Sequence, residues 1–186
     1  TTANANARPA ARQLRADSST ARWPPRPAVA SSGGEPERQL TQAVSRQCRD
    51  GVGDLRSRAP DLGALFTTPV NDVRLEIGFG GGEHLIAEAL AFPQTGFIGC
   101  EPYVNGMAKL LARIESRPAD NIRLFAGDAA ELIGGRAPES LQRVDLIHPD
   151  PWPKRRHWKR RFVQDAMIAA LARVLPSGGE FRFVSD

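Results

Sequence analysis

The residues of this chain best suited to chemistry stand at the ends of apolar runs. Asp150 follows the run 144–147 and lies among alternating prolines, Pro149, Pro151 and Pro153. Each proline fixes its own φ and pushes the residue before it towards an extended conformation, so a stiff loop presents Asp150 and Trp152. Six Lys or Arg then fall within eight residues, 154–161, with His157 and Trp158 between them. A carboxylate, an indole and a positive patch therefore converge at one strand end, where open α/β sheets bind their ligands. Without those six cations the 25 Lys and Arg fall to 19, against 21 acids, so the positive excess is local. A local patch suits a polyanionic partner better than a diffuse surplus does. The alternative is a solvated helix start, but the helix dipole disfavours cations at an N-terminus. Trp152 could offer a stacking face to a splayed-out base, or could anchor its loop in the core. His157 and Trp158 read as packing or backbone contacts.

A second group lies earlier. The run 73–77 ends in Gly78, Gly80 and Gly82, a G-x-G-x-G turn that lets a ligand approach backbone and helix N-terminus. A dinucleotide turn needs Gly or Ala at position 83, where Glu83 stands. That acid would repel a pyrophosphate, but not a ligand carrying a sulfonium and an amino acid, the shape of S-adenosylmethionine. Glu101 ends the next apolar run, 19 residues after Gly82, where a carboxylate can accept ribose hydroxyls. Asp128, after the third run, could receive an adenine amine. Glu76 lies within the first run, where a charge is costly unless paired. Either it holds a ligand's ammonium group indirectly, or it forms a buried salt bridge. His84 could line the pocket, whereas His148 reads as a core residue of its strand.

These groups need a scaffold, and strand and helix patterns alternate to supply one. Strands are expected at 73–77, 96–100, 121–126, 144–147 and 180–184. Helical spacing joins Leu85, Ile86, Ala89 and Leu90, then Met107, Leu110, Leu111 and Ile114. A short helix, 129–133, closes at Gly134-Gly135. The last helical face gathers Phe162, Val163, Ala166, Met167, Ala170, Leu171 and Val174, and so starts at the end of the basic run. Such alternation predicts an α/β fold with a parallel sheet covered on both faces.

The chain has 186 residues, room for one domain with an adequate core. Residues 1–34 are rich in Ala, Arg, Pro and Ser and read as a disordered basic tail, a composition shared by organellar transit peptides. Residues 35–72 read as a helical and loop-rich approach to the domain at 73–186. No apolar run is long enough to span a membrane. Cys48 and Cys100 lack metal-ligand spacing, so no metal site is expected and a reducing, cytoplasmic setting fits. Cys100 reads as a small buried hydrophobe.

Four stretches together resemble the bacterial tRNA (guanine-N7)-methyltransferases: LEIGFGGGEHL at 75–85, GCEPYVNGMAKLL at 99–111, GDA at 127–129 and PDPWPKRRHWKRRFV at 149–163. The glycine turn is common to many methyltransferases; the last block is specific. The resemblance implies a Rossmann-like class I methyltransferase sheet that moves the methyl group of S-adenosylmethionine to N7 of a guanosine in the tRNA variable loop. By position it implies a donor site of Glu76, Gly78, Gly80, Gly82, Glu101, Asp128, Ala129 and Asp150, with Asp150 also the active-site acid. Lys154, Arg156, His157, Lys159, Arg160, Arg161 and Asp186 match substrate contacts. The family's basic, glycine-containing arm is not recognisable in residues 1–58. The family also continues through two more strands and a Thr-x-x-Glu-type motif after the position of Asp186, so the C-terminal strands are expected to be missing here. A chain of this extent is expected to hold the donor without being a competent enzyme.

Three other readings stay on the page. A dehydrogenase is disfavoured by Glu83 and by the lack of an evident hydride-transfer histidine or lysine. A small-molecule methyltransferase leaves the basic run unexplained. A non-catalytic RNA-binding module leaves Glu101 and Asp128 unexplained.

Overall fold

A computed structural model describes residues 61–185. The tail, most of the N-terminal approach, Cys48 and Asp186 lie outside the described residues. After a short 3-10 turn at Gly63–Leu65, five strands alternate with helices. The strands are β1 (Asp72–Ile77), β2 (Thr95–Cys100), β3 (Ile122–Phe125), β4 (Arg143–Ile147) and β5 (Glu180–Val184). The helices are α1 (Glu83–Ala91), α2 (Val104–Ser116), α3 (Ala129–Gly134) and α4 (Asp165–Val174). All strand pairs are parallel, in the order β3-β2-β1-β4-β5. The expected parallel α/β sheet is therefore present. Its order reverses at β1, with β2 and β3 on one side and β4 and β5 on the other, and the parallel strands all end at the same edge of the sheet. Ligands of open sheets bind at that edge.

The period of two along each strand sorts the side chains to two faces. Leu75, Ile98, Val144 and Leu146 face α3 and α4, packing on Leu132, Ile133, Met167, Leu171 and Val174. Phe97, Ile122 and Leu124 face α1 and α2, packing on Leu85, Ile86, Ala89, Met107 and Leu110. Leu111 and Ile114 are only partly buried against this second cluster. Leu90, expected in the apolar stripe of α1, is 38% exposed, because it falls past the edge of that face.

The start of α4 differs from expectation. Residues 155–160 form a separate 3-10 turn, and α4 begins only at Asp165. Arg161 is extended (φ −62°, ψ 140°) and breaks the path between the two. Six cations at the head of a ten-residue helix would oppose its dipole; here an acid, Asp165, occupies that first turn instead. Phe162 and Val163 thus precede the helix, Val163 and Ala166 are exposed, and the buried face reduces to Met167, Leu171 and Val174. Among the described residues no helix is long and apolar enough to cross a membrane.

Candidate active site

At the carboxyl edge of the sheet lies a cavity of about 450 Å³. The ends of four strands line it: Gly78 after β1, Glu101 and Tyr103 after β2, Asp128 and Ala129 after β3, and His148 to Asp150 after β4. Phe162 closes the wall. Of the residues singled out from sequence, Gly78, Glu101, Asp128, Ala129 and Asp150 meet here. Glu76, Gly80 and Gly82 lie behind this lining.

The glycine turn is held open by backbone geometry. Gly78, Gly80 and Gly82 all have positive φ, at 69°, 56° and 78°, a region that side-chain-bearing residues rarely adopt. Glu101 ties the turn to β2. Its Oε2 accepts the Gly80 N–H at 3.0 Å and its Oε1 the Tyr103 N–H at 3.0 Å. This carboxylate is 5% exposed, and two donors fix its orientation while each oxygen keeps acceptor capacity for a ligand hydroxyl. Asp128 caps α3 through Oδ1, which accepts the Ala130 N–H at 2.8 Å. Cys100 beneath them is buried, and its thiol meets the Gly127 carbonyl at 3.3 Å. Burial, with Asp128 and Glu101 nearby, pushes that thiol well above its ordinary pKa, so it is not a nucleophile.

Glu76 has a partner inside the fold. It is 5% exposed, and its Oε2 lies 2.7 Å from His84 Nδ1. Burial raises its pKa above the ordinary carboxylate range, and the hydrogen bond from His84 works against that rise. His84 therefore does not line the cavity; it backs Glu76. Glu83 is exposed and pairs with Arg113.

The Asp150 loop is strained on both sides. His148 (φ 47°) and Trp152 (φ 39°) flank it in the left-handed region, each at a cost of about 1–3 kcal/mol. His148 follows β4 and is exposed at the cavity, which corrects the expectation of a core histidine. Its backbone N–H donates to the Val184 carbonyl at 2.8 Å, so β5 anchors the turn. Asp150 is exposed at the cavity wall.

The basic turn stands on aromatic rings. The Arg160 guanidinium sits 4.9 Å from the Trp152 ring centre, and His157 meets the same ring edge-on at 5.4 Å. Trp158 lies between Arg155 at 5.6 Å and Arg161 at 5.2 Å. Arg161 also donates to the Trp152 carbonyl at 3.3 Å, and Gln164 donates to the carbonyls of Lys159 and Arg161 at 2.9 and 2.8 Å. Such cation–π contacts offset part of the repulsion among crowded cations. Trp152 is half-buried, with the Arg160 guanidinium over its ring and its indole nitrogen away from solvent. Lys154, Arg156 and Lys159 are exposed on the same turn.

Sequence reasoning missed Tyr103 and Phe162 as cavity residues. For Tyr103 the signal was its place two residues after Glu101. For Phe162 the apolar spacing pointed to a helix instead. Among the described residues no cluster of His, Cys, Asp or Glu is arranged to hold a metal ion.

A parallel 3-2-1-4-5 sheet with a glycine turn after β1 and fixed carboxylates after β2 and β3 defines a class I methyltransferase fold. The family model described as "Putative methyltransferase" matches residues 70–186, and the chain belongs to that family. The tRNA (guanine-N(7)-)-methyltransferase of Rhodopseudomonas palustris strain BisB18 is 74% identical over 134 residues, 72% of this chain and 53% of the relative. The protein of the same description from Nitrobacter hamburgensis is 71% identical over 126 residues, 68% of this chain and 49% of the relative. The family resemblance carried by residues 75–85, 99–111, 127–129 and 149–163 is thereby borne out. The chain spans about half the length of the curated relatives it matches. Among solved structures, the antibiotic-resistance methyltransferase Kmr is 20% identical with a TM-score of 0.48, covering 63% of this chain and 60% of that one.

Proposed function

We propose that this chain carries the donor pocket and the acceptor-facing loop of a tRNA (guanine-N7)-methyltransferase that acts in the cytoplasm. The observation that supports this most is the joining of two unlike ends in one cavity. Buried Glu101 and capping Asp128 lie on one side, and Asp150, which leads into the basic run 154–161, lies on the other. S-adenosylmethionine supplies a methyl group on a positively charged sulfur. Glu101 would take its ribose hydroxyls, Asp128 and Ala129 its adenine, and the glycine turn its amino-acid end.

The acceptor chemistry asks little of a base. Guanine N7 has an in-plane lone pair and no proton, so positioning in line with the methyl group suffices. The N7–carbon bond forms as the sulfur–carbon bond breaks, and positive charge passes to the base. Asp150 stabilises that charge and can accept from guanine N1–H and its exocyclic amine. Lys154, Arg156, His157, Lys159, Arg160 and Arg161 hold phosphates, and Asp186 completes the substrate contacts.

The test is methylation by the full chain with isotopically labelled donor and unmodified tRNA, followed by strand scission at N7-methylguanosine. Scission at one variable-loop guanosine is expected. Label confined to small molecules, or at another atom of the base, contradicts the proposal.

A further inference from the structure

The face of the sheet towards α1 carries charge where the other face carries Leu and Val. Glu76, Asp145 and Arg182 are register neighbours across β1, β4 and β5. Asp145 is 2% exposed. His84, in the first turn of α1, reaches down between them. Its Nδ1 lies 2.7 Å from Glu76 Oε2 and its Nε2 lies 2.8 Å from Arg182 Nη2. Arg182 Nε donates to Asp145 Oδ1 at 2.7 Å, and Asp145 Oδ2 accepts from Arg143 Nε at 3.0 Å. Arg143 also pairs with Glu88.

The geometry fixes the direction of every bond. A guanidinium can only donate, so His84 Nε2 must accept and its Nδ1 must carry the proton. A neutral imidazole therefore donates to Glu76. The same ordering of a ring by its second nitrogen recurs wherever histidines are held in one tautomer.

The charges do not cancel. Asp72, Glu76, Glu88 and Asp145 supply four negatives, and Arg74, Arg143 and Arg182 supply three positives. Arg182 bonds to Asp145 and touches Glu76 only by way of the neutral His84, although its charge still favours the ionised Glu76 carboxylate. The surplus negative charge thus falls at the Glu76 end, under the glycine turn. A purely structural network would gain nothing from burying an unmatched carboxylate there. A site for a cation would.

We propose that His84 and Arg182 are positioning residues that hold the Glu76 carboxylate for the ammonium group of the methyl donor. The inference rests on the donor reading above and deepens it at one end of the pocket. Asp145 fixes Arg182, Arg182 fixes the His84 ring, and His84 fixes one oxygen of Glu76, leaving the other for the ligand. Strand β5, on the acceptor side, is thereby tied to the amino-acid end of the donor site.

The test compares two adenosines by calorimetry: S-adenosylhomocysteine, which has the amino-acid end, and 5′-methylthioadenosine, which lacks it. The parent should bind the first more tightly. His84→Ala should lower S-adenosylhomocysteine affinity about tenfold or more and leave methylthioadenosine unchanged. His84→Asn, whose amide N–H can stand in for Nδ1–H, should restore part of the loss. Arg182→Gln should lower S-adenosylhomocysteine affinity alone, and should add little to His84→Ala. Equal loss of both ligands would mean that His84 only supports the fold. Unchanged affinities, or a parent that binds both ligands equally, would overturn the positioning role while sparing the donor pocket. A parent that binds neither overturns the donor pocket, and this inference with it.

Discussion

The two sides of the cavity are built on opposite plans. On the β1–β3 side, carboxylates are buried or cap a helix, and backbone N–H groups fix them: Gly80 and Tyr103 hold Glu101, and Ala130 holds Asp128. On the β4 side, Asp150 and the cations are exposed, and the turn that carries them rests on Trp152 and Trp158. The first plan suits a small ligand, whose few polar groups need fixed partners in a formed pocket. The second suits a large polyanion, which is met by charge at a surface and needs room to settle. The difference teaches that rigidity in this site is local. The fixed carboxylates stand on the side proposed to hold the donor.

The comparison breaks most visibly at Asp150, the acid at the cavity wall on the β4 side. Asp150→Asn keeps the shape and removes the charge. In the full chain, methyl transfer under single-turnover conditions should fall about 10²–10³-fold, as when one preorganised electrostatic group is lost. Donor affinity should fall far less. Rapid-quench methylation with saturating donor and tRNA measures both the loss and its flatness across neutral pH, since N7 has no proton to give up. A near-parent rate would make Asp150 a turn residue only.

Glu101→Ala attacks the buried plan. It should weaken S-adenosylmethionine binding by about 1–3 kcal/mol, the usual loss for charge-assisted hydrogen bonds, while circular dichroism shows the fold retained. Unchanged affinity by calorimetry would remove Glu101 from the donor site.

Replacing Arg160 and Arg161 by Ala attacks the exposed plan. The slope of log affinity for tRNA against log salt should flatten by roughly 0.7–0.9 per lost phosphate contact. An identical slope in variant and parent would place both arginines in solvent in the complex.

The smallest expected effect sharpens the contrast from the far side of the sheet. Burial raises the pKa of Glu88, but the hydrogen bond and charge of Arg143 outweigh it and hold the group below its ordinary value. A lowered carboxylate stabilises the fold above its unfolded pKa, and that contribution is lost as pH falls through the folded value. Glu88→Gln should cost about 1 kcal/mol near neutral pH and progressively less in acid. Urea midpoints at neutral and acidic pH check the sign. A cost that grows in acid would contradict it.

Much of this was legible in the chain itself, for identifiable reasons. The strand ends could be read because three apolar runs stop at a glycine or an acid, Gly78, Glu101 and Gly127-Asp128, and a fourth is followed closely by Pro149-Asp150. Four of those ends meet in the cavity. The start of α4 could not be read, because Phe162 and Val163 keep helical spacing with Ala166 and Met167 although the extended Gln164 separates them. His148 misled because it follows Ile147 without a break in the sequence, while its positive φ turns it out of the sheet. The Glu76–His84–Arg182–Asp145 network was invisible for a deeper reason. Its members come from β1, α1, β5 and β4, and only the strand register brings them together.

One crossed measurement tests the two-plan account most directly. S-adenosylmethionine affinity by calorimetry and the salt slope of tRNA binding are measured for Glu101→Ala and for the Arg160/Arg161 double variant, each against the parent. The account predicts that Glu101→Ala loses donor affinity and keeps the salt slope, and that the double variant does the reverse. A variant that loses both would mean that donor pocket and basic turn form one cooperative unit, which contradicts the account.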